Sequence, residues 1–324
     1  MSRLRLASLG FALCLALPAG AEGPTLTLAF VGDINLDGLP GDLVRHGGDP
    51  FAAFGALLDG ADIRVGNLEC VVATRGEPIP DKLYTFRAHP RTLIPLKRHF
   101  DAVSLANNHS GDFGTAAFGE LLALLDRQGI AYFGGGADLA QAHRPLIVER
   151  RGLRVALLGY DEFLPRSFEA DYDRPGVAWS EDEQVRYDII EARRRYGADL
   201  VVPFMHWGWE NAPVAGQRQR QLARLMIDAG ADAVVGSHPH VVQDTETYRG
   251  RPIVYSLGNF VFDGFTTAAN NTGWLLRLEL DREGARAWRT DLAHFDRQGI
   301  PHPVPAEGPC WERGQLEAGP CGTR

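Results

Sequence analysis

The chain has 324 residues, 45% of them hydrophobic and 23% charged, enough to bury one large core or two modest ones. A formal charge of −8 argues against a nucleic-acid binder, which needs a basic surface to meet phosphates. The 37 glycines and 20 prolines are scattered, as in a folded chain with many turns rather than a disordered one.

Residues 1–21 open with Arg3 and Arg5, continue through the apolar "LASLGFALCLALPAG" and end in Ala19–Gly20–Ala21. That is the plan of a cleavable export signal, and it predicts a periplasmic, secreted or envelope-associated protein. The apolar stretch is shorter than the roughly 20 residues that cross a bilayer as a helix, although an uncleaved anchor is the alternative. Beyond it, apolar strand-like runs recur: "TLTLAFVGD", "ADIRVGNLE", "FDAVSLANNH", "GIAYFGGG", "LRVALLGYDE", "ADLVVPFMHWG" and "ADAVVGSHPH".

Helical patterns alternate with several of these runs. Phe118, Leu121, Leu122 and Leu125 form one stripe that stops before Gly129; Leu222, Leu225, Met226 and Ala229 form another, before Gly230. "EDEQVRYDIIEARRRYG" carries acids in its first turn and arginines in its last, as the helix dipole favours. The alternation predicts a layered α/β fold. Two hairpins are expected after residue 246, turning at "RG" and "REG", and no linker divides the chain. One domain over 22–298 and an irregular tail over 299–324 are the expected organisation. Within the tail, Cys310 and Cys321 have the spacing of a small disulfide loop, while Cys70 sits in an apolar run and reads as a buried hydrophobe.

Five runs end in the same kind of residue. They finish at Asp33, at Asn67 and Glu69, at Asn108 and His109, at His206, and at His238 and His240. In open α/β sheets the carboxyl ends of strands are where ligands bind. Any one of these residues alone reads more simply as a cap, a turn or a satisfied histidine. Together they form a set of carboxylates, amides and imidazoles suited to a divalent metal.

The segments "GDINLD", "NLECVV", "KLYTFRAHP", "SLANNHSGDFG", "HWGWE", "GADAVVGSHPHVVQ" and "YSLGNFVFD" resemble, in order, the motifs of the CapA family of capsule and poly-γ-glutamate synthesis proteins. That family in turn resembles the calcineurin-like metallophosphoesterases. The resemblance implies an α/β fold built as a two-sheet β-sandwich flanked by helices, with a centre for one or two divalent ions, manganese, iron or zinc. It implies Asp33, Glu69, Asn108, His206, His238 and His240 as ligands, Glu69 bridging both ions, and His109 as a catalytic imidazole that binds no metal. His240 would belong to the first site, His206 and His238 to the second. Asn35 departs from the phosphoesterase pattern, which has a histidine at that position, so the first site is expected to be the weaker.

Further readings attach to single residues. Arg87 is a candidate to hold a substrate anion, or a surface arginine. Trp207, with Trp209, is a candidate aromatic wall for a sugar or polymer, or packing. Asp112 and Asn259 are expected to orient neighbouring groups or turns, and Asp112 alternatively to cap the helix beginning near Gly114. The expected function is a metal-dependent hydrolase or transferase acting on an anionic envelope polymer or phosphoester, with a membrane-bound synthase as a candidate partner. The alternative is a non-catalytic factor in polymer assembly or export.

Overall fold

The computed structural model describes residues 23–321; the expected export signal lies outside them. The strands of the two main sheets, in chain order, are β1 (Leu26–Ile34), β2 (Ile63–Leu68), β3 (Ala102–Ser104), β4 (Ala131–Phe133), β5 (Leu146–Arg150), β6 (Leu153–Asp161), β7 (Leu200–His206) and β8 (Val234–Ser237). They continue with β9 (Thr245–Tyr248), β10 (Arg251–Val254), β11 (Asn259–Val261), β12 (Thr272–Asp281), β13 (Gly284–Phe295), β14 (Pro301–Glu312) and β15 (Gly319–Pro320). The longer helices are α1 (Gly114–Gln128), α2 (Asp182–Arg194) and α3 (Gln217–Ala229). The first sheet has the order β15-β14-β13-β12-β1-β2-β3-β4, with β11 alongside β1; the second has the order β9-β10-β8-β7-β6-β5.

Alternation along the strands decides how these sheets stack. Leu26, Leu28 and Phe30 of β1 face the same buried layer as Leu153, Val155 and Leu157 of β6 and Leu200, Val202 and Phe204 of β7. The intervening residues face outward onto helices. Ala29 and Val31 join Phe118, Leu121 and Leu125 of α1, whereas Ala156, Leu158 and Val201 join Val185 and Ile189 of α2 and Leu222 and Met226 of α3. The result is a two-sheet sandwich covered by helices, as expected, with a period of 2 in the strands and 3.6 in the helices. Each fully buried Leu or Phe contributes on the order of 1.5–3 kcal/mol to holding the layers together.

Both expected helix stops are present, with Gly129 (φ 64°) and Gly230 (φ 115°) in the left-handed conformation that glycine adopts without a steric penalty. The hairpins β9–β10 and β12–β13 are antiparallel and form where the turn residues predicted them. The tail differs from expectation. Residues 301–312 form a long strand paired with β13, and Cys310 is bonded to Cys321 with Cα atoms 5.3 Å apart. Prolines 301, 303 and 305 made this stretch read as irregular. They fall at alternate positions, so the missing N–H groups lie along one side of the strand and leave the other free to pair. Among the described residues, no helix is long and apolar enough to cross a membrane.

Above the apolar layer between the sheets, inward-facing positions turn polar, on β1 after a register shift between Phe30 and Asp33. In the first sheet Asp33 pairs in register with Asn259 on one side and Asn67 on the other, and Asn67 with Ser104. In the second, His206 lies between Ser237 and Asp161. Two rows of polar residues therefore face each other where the parallel strands end.

Candidate metal centre

Each strand end contributes through a local device. Gly32 permits β1 to approach β11 so closely that a Cβ there would lie 1.8 Å from the carbonyl oxygen of Gly258. Asp33, the next residue, is fully buried, and its Oδ1 accepts a hydrogen bond from Asn67 Nδ2 at 2.8 Å. Its other oxygen accepts the backbone N–H of His238 at 3.2 Å. His238 and His240 both have positive φ, 98° and 57°, an unusual conformation for residues with a side chain. The Asn270 amide holds the carbonyl of His240 at 3.1 Å, and the N–H of Asn211 holds that of Pro239 at 2.8 Å. The "HPH" turn is thus bent to direct two imidazoles into one space.

Asp33, Glu69, Asn108, His206, His238 and His240 all meet there. His206 Nε2 lies 2.8 Å from Asn108 Oδ1, 3.1 Å from His238 Nδ1 and 3.6 Å from Glu69 Oε1. His240 Nε2 is 3.9 Å from the same Glu69 oxygen, and its Nδ1 is 3.5 Å from Asp33 Oδ2. Two triads have ligand atoms within 4.8 Å of one another: Asp33, Glu69 and His206, and Glu69, His238 and His240. Glu69 belongs to both, the position of a bridge. The six form one cluster, in which Asp33 lies near both His240 (3.5 Å) and, at a longer 4.0 Å, His206.

Among the described residues, no hydrogen-bond partner reaches the buried Glu69 Oε1 and Oε2 or His238 Nε2. Leaving such atoms unpaired costs one to several kcal/mol each, and a carboxylate more, so the cluster fits a cation that would satisfy them. The titration behaviour agrees. Burial, and then the charge of Asp33, push the Glu69 carboxyl well above its ordinary range. Burial also opposes ionisation of Asp33, but the hydrogen bond and charge of His240, with His206 and Asn67, hold it below the usual carboxylate range. Burial and the neighbouring His240 charge press His238 down to about 3, and burial with His238 lowers His206 well below normal. The histidines at positions 206 and 238 are therefore neutral at neutral pH, the form that binds metals.

His109 stands at the edge of the cluster, with Nε2 4.0 Å from Glu69 Oε1. Its Nδ1 meets Asp112 Oδ2 at 2.7 Å, and Lys82 Nζ holds the other oxygen of Asp112 as well as the carbonyl of Asn108, at 2.5 Å in the latter case. Burial outweighs Asp112 and lowers the His109 pKa. Asp112 also accepts the N–H of Phe86, whose ring packs 4.5 Å from His109. It does not cap the following helix, whose N-cap is Phe113. Asn259 does orient a neighbour, meeting His240 Nδ1 at 2.8 Å.

Three further candidates have definite surroundings. Asn35 Oδ1 accepts the N–H of Asp37 at 3.0 Å, which commits that oxygen to a turn. Arg87 Nη1 donates to the carbonyls of Gly76 (2.8 Å) and Arg75 (3.3 Å), and the guanidinium lies over the Phe113 ring, so it braces a loop. Trp207 is fully buried, with Nε1 bonded to the carbonyl of Tyr255 at 2.8 Å, and is packing; Trp209 is 77% exposed. The single-sequence reading missed Asn107, whose Nδ2 ties Asn67 Oδ1 (3.0 Å) to the carbonyl of Leu68 and whose Oδ1 accepts the N–H of His109. It also missed Lys82, which lies within a quoted motif, and Asp161, which ends a strand as the other site residues do. Burial raises the Asp161 carboxyl to about 7.

Residues 27–264 match the family described as bacterial capsule synthesis protein PGA_cap. The PGA biosynthesis protein CapA of Bacillus subtilis (strain 168) is 33% identical over 285 residues, 86% of this chain and 74% of that one. The capsule biosynthesis protein CapA of Bacillus anthracis is 33% identical over 292 residues, 87% of this chain and 70% of that one. Among solved structures, the NAD nucleotidase of Haemophilus influenzae aligns with a TM-score of 0.48 and 12% identity over 88% of this chain and 61% of that one. A match over most of the chain, and relatives a third identical along most of their own length, make this protein a member of the bacterial capsule synthesis family.

Proposed function

We propose that the chain is a divalent-metal-dependent hydrolase, or related transferase, that acts on an anionic envelope polymer in capsule or poly-γ-glutamate production. Export by the segment over 1–21, and work beside a membrane-bound synthase, belong to the same reading. The observation that carries it is the buried Glu69 side chain, both oxygens unpartnered among the described residues, at the shared corner of two ligand triads.

The ions held by Asp33, Glu69, Asn108, His206, His238 and His240 would polarise an oxygen of the scissile group and make a water nucleophilic at neutral pH. The remaining chemistry belongs to His109. Asp112 accepts from Nδ1, so the neutral ring carries its proton there and presents Nε2 as a base toward the cluster. Nε2 takes a proton from the attacking water and returns it to the leaving group. Lys82, by holding the second oxygen of Asp112, keeps that carboxylate in place.

One observation favours an assembly role instead: Asn35 stands where a ligand histidine is expected, and its oxygen is committed to the backbone. Metal analysis of the purified chain separates the readings when followed by assays on bis(p-nitrophenyl) phosphate and on poly-γ-glutamate, with and without manganese. Manganese-dependent turnover of either compound supports the enzyme. Bound metal with no turnover of either supports the assembly factor.

A further inference from the structure

A continuous wall of phenyl rings runs along one side of the metal cluster. The Phe86 ring centre lies 4.5 Å from that of His109 and 5.4 Å from that of Phe262. Phe262 is in turn 5.3 Å from Phe265, and the two meet the His240 ring at 5.1 and 5.0 Å. On another loop, Phe163 lies 4.5 Å from His238. Phe262 is buried, but Phe86, Phe265 and Phe163 keep part of their surface open to solvent. The apolar character continues outward: Leu83, three residues before Phe86, is 84% exposed, and Leu164, next to Phe163, is 70% exposed. The cations of the Phe86 loop point elsewhere, Lys82 to Asp112 and the Asn108 carbonyl, Arg87 Nη1 to the carbonyls of Arg75 and Gly76.

The wall joins the imidazole assigned to proton transfer, His109, to a ligand imidazole, His240. Whatever adjoins the scissile anion of the substrate therefore meets hydrocarbon. A hydrophilic polyanion gains nothing from such a surface, because its next unit is charged as well. A flat group fits poorly too: Phe86 and Phe262 cross at 86° and Phe262 and Phe265 at 60°, so neighbouring rings share no plane to stack on. A flexible chain can follow edges and faces alike. We propose that the wall binds the hydrocarbon chain of a lipid-linked anion, with the phosphoester head at the metal cluster and the first carbons of the chain against Phe86 and Phe265. This rests on the reading of the centre as one that holds metal and takes an anion, and it names what the anion is carried on.

Calorimetric titration of the manganese-loaded chain with inorganic, ethyl, octyl and phenyl phosphate, each below its micelle concentration, tests the wall. A fully buried methylene is worth about fourfold in affinity, so even partial burial should make octyl phosphate bind about tenfold or more tightly than ethyl phosphate. In Phe265→Ala and in Phe86→Ala that gap should shrink to about threefold or less, with inorganic phosphate bound as by wild type. Equal affinity of wild type for the ethyl and octyl esters overturns the proposal, a comparison that needs no variant. A gap unchanged in both variants overturns it as well, by placing the chain elsewhere. Phenyl phosphate bound as tightly as octyl phosphate would assign the wall to a planar group and also overturn it. Each of these outcomes leaves the metal reading standing; failure of wild type to bind any of the four phosphates overturns both.

Discussion

Asp112 holds His109 with one carboxylate oxygen and Lys82 with the other, so a single buried acid links the imidazole beside the candidate metal cluster to a partly exposed lysine. His109 approaches the cluster at 4.0 Å from Glu69, and the proposed function gives it proton transfer rather than metal binding. His109→Ala should bind the wild-type complement of manganese while turnover of the assayed compound falls by about 10²–10⁴, the usual range for a lost general acid–base. Metal content by plasma emission and initial rates on the same preparation check this. Wild-type turnover in the variant would remove His109 from the chemistry.

Glu69 makes the opposite prediction. Its buried oxygens have no partner among the described residues, and Asp33 adds a like charge nearby, so the carboxyl burdens the metal-free fold and serves the loaded one. In chelator, Glu69→Gln should melt above wild type, by an amount equivalent to about 1 kcal/mol or more. With manganese at 100 times its dissociation constant, wild type gains about 2.7 kcal/mol and the variant little, so the order reverses. Thermal melts of both proteins in the two buffers test the crossing. Curves that keep their order would place the metal away from Glu69.

Much of the fold is legible in the sequence. Alternating apolar residues in "TLTLAF" and "LRVALL" specify two faces, and the stripes Phe118–Leu125 and Leu222–Ala229 specify what covers them. The strand-end residues could be listed but not joined, because only register places His206 beside Asp161 and Asp33 beside Asn67. Asn107 was hidden by its neighbours: of three consecutive polar residues, the sequence does not say which one bonds inward. Trp207 stayed open between wall and core because an aromatic beside a ligand histidine reads the same either way. The period of two settles it, since His206 faces the centre and Trp207 therefore faces the helices.

The two tryptophans of "HWGWE" should then separate cleanly. Trp207→Ala removes a fully buried ring and leaves the Tyr255 carbonyl without its donor, at a cost of about 3–5 kcal/mol. Trp209→Ala removes a ring that is 77% exposed and should stay within about 0.5 kcal/mol of wild type. Urea unfolding of both variants measures the difference. Equal destabilisation would contradict the assignment of Trp207 to the core.

A last prediction concerns the brace beneath the site. Arg64 on β2 donates to both oxygens of Asp101, at 2.9 and 3.2 Å, and Asp101 immediately precedes β3, so the pair joins the strands leading to Glu69 and Asn108. Partial burial works against the Asp101 charge, but the Arg64 hydrogen bonds and charge outweigh it and lower the pKa. A depressed carboxylate contributes stability above its unfolded value of about 3.9 and loses it as pH falls through the folded value. For a pair still partly open to solvent the contribution is about 1 kcal/mol, or roughly 2 °C in a chain of this size. Asp101→Asn should therefore melt below wild type by a constant margin from pH 7 to about 5, and the margin should shrink as pH falls below about 4. A gap of the same size at pH 6 and pH 2.5 would mean that the ion pair does not brace these strands.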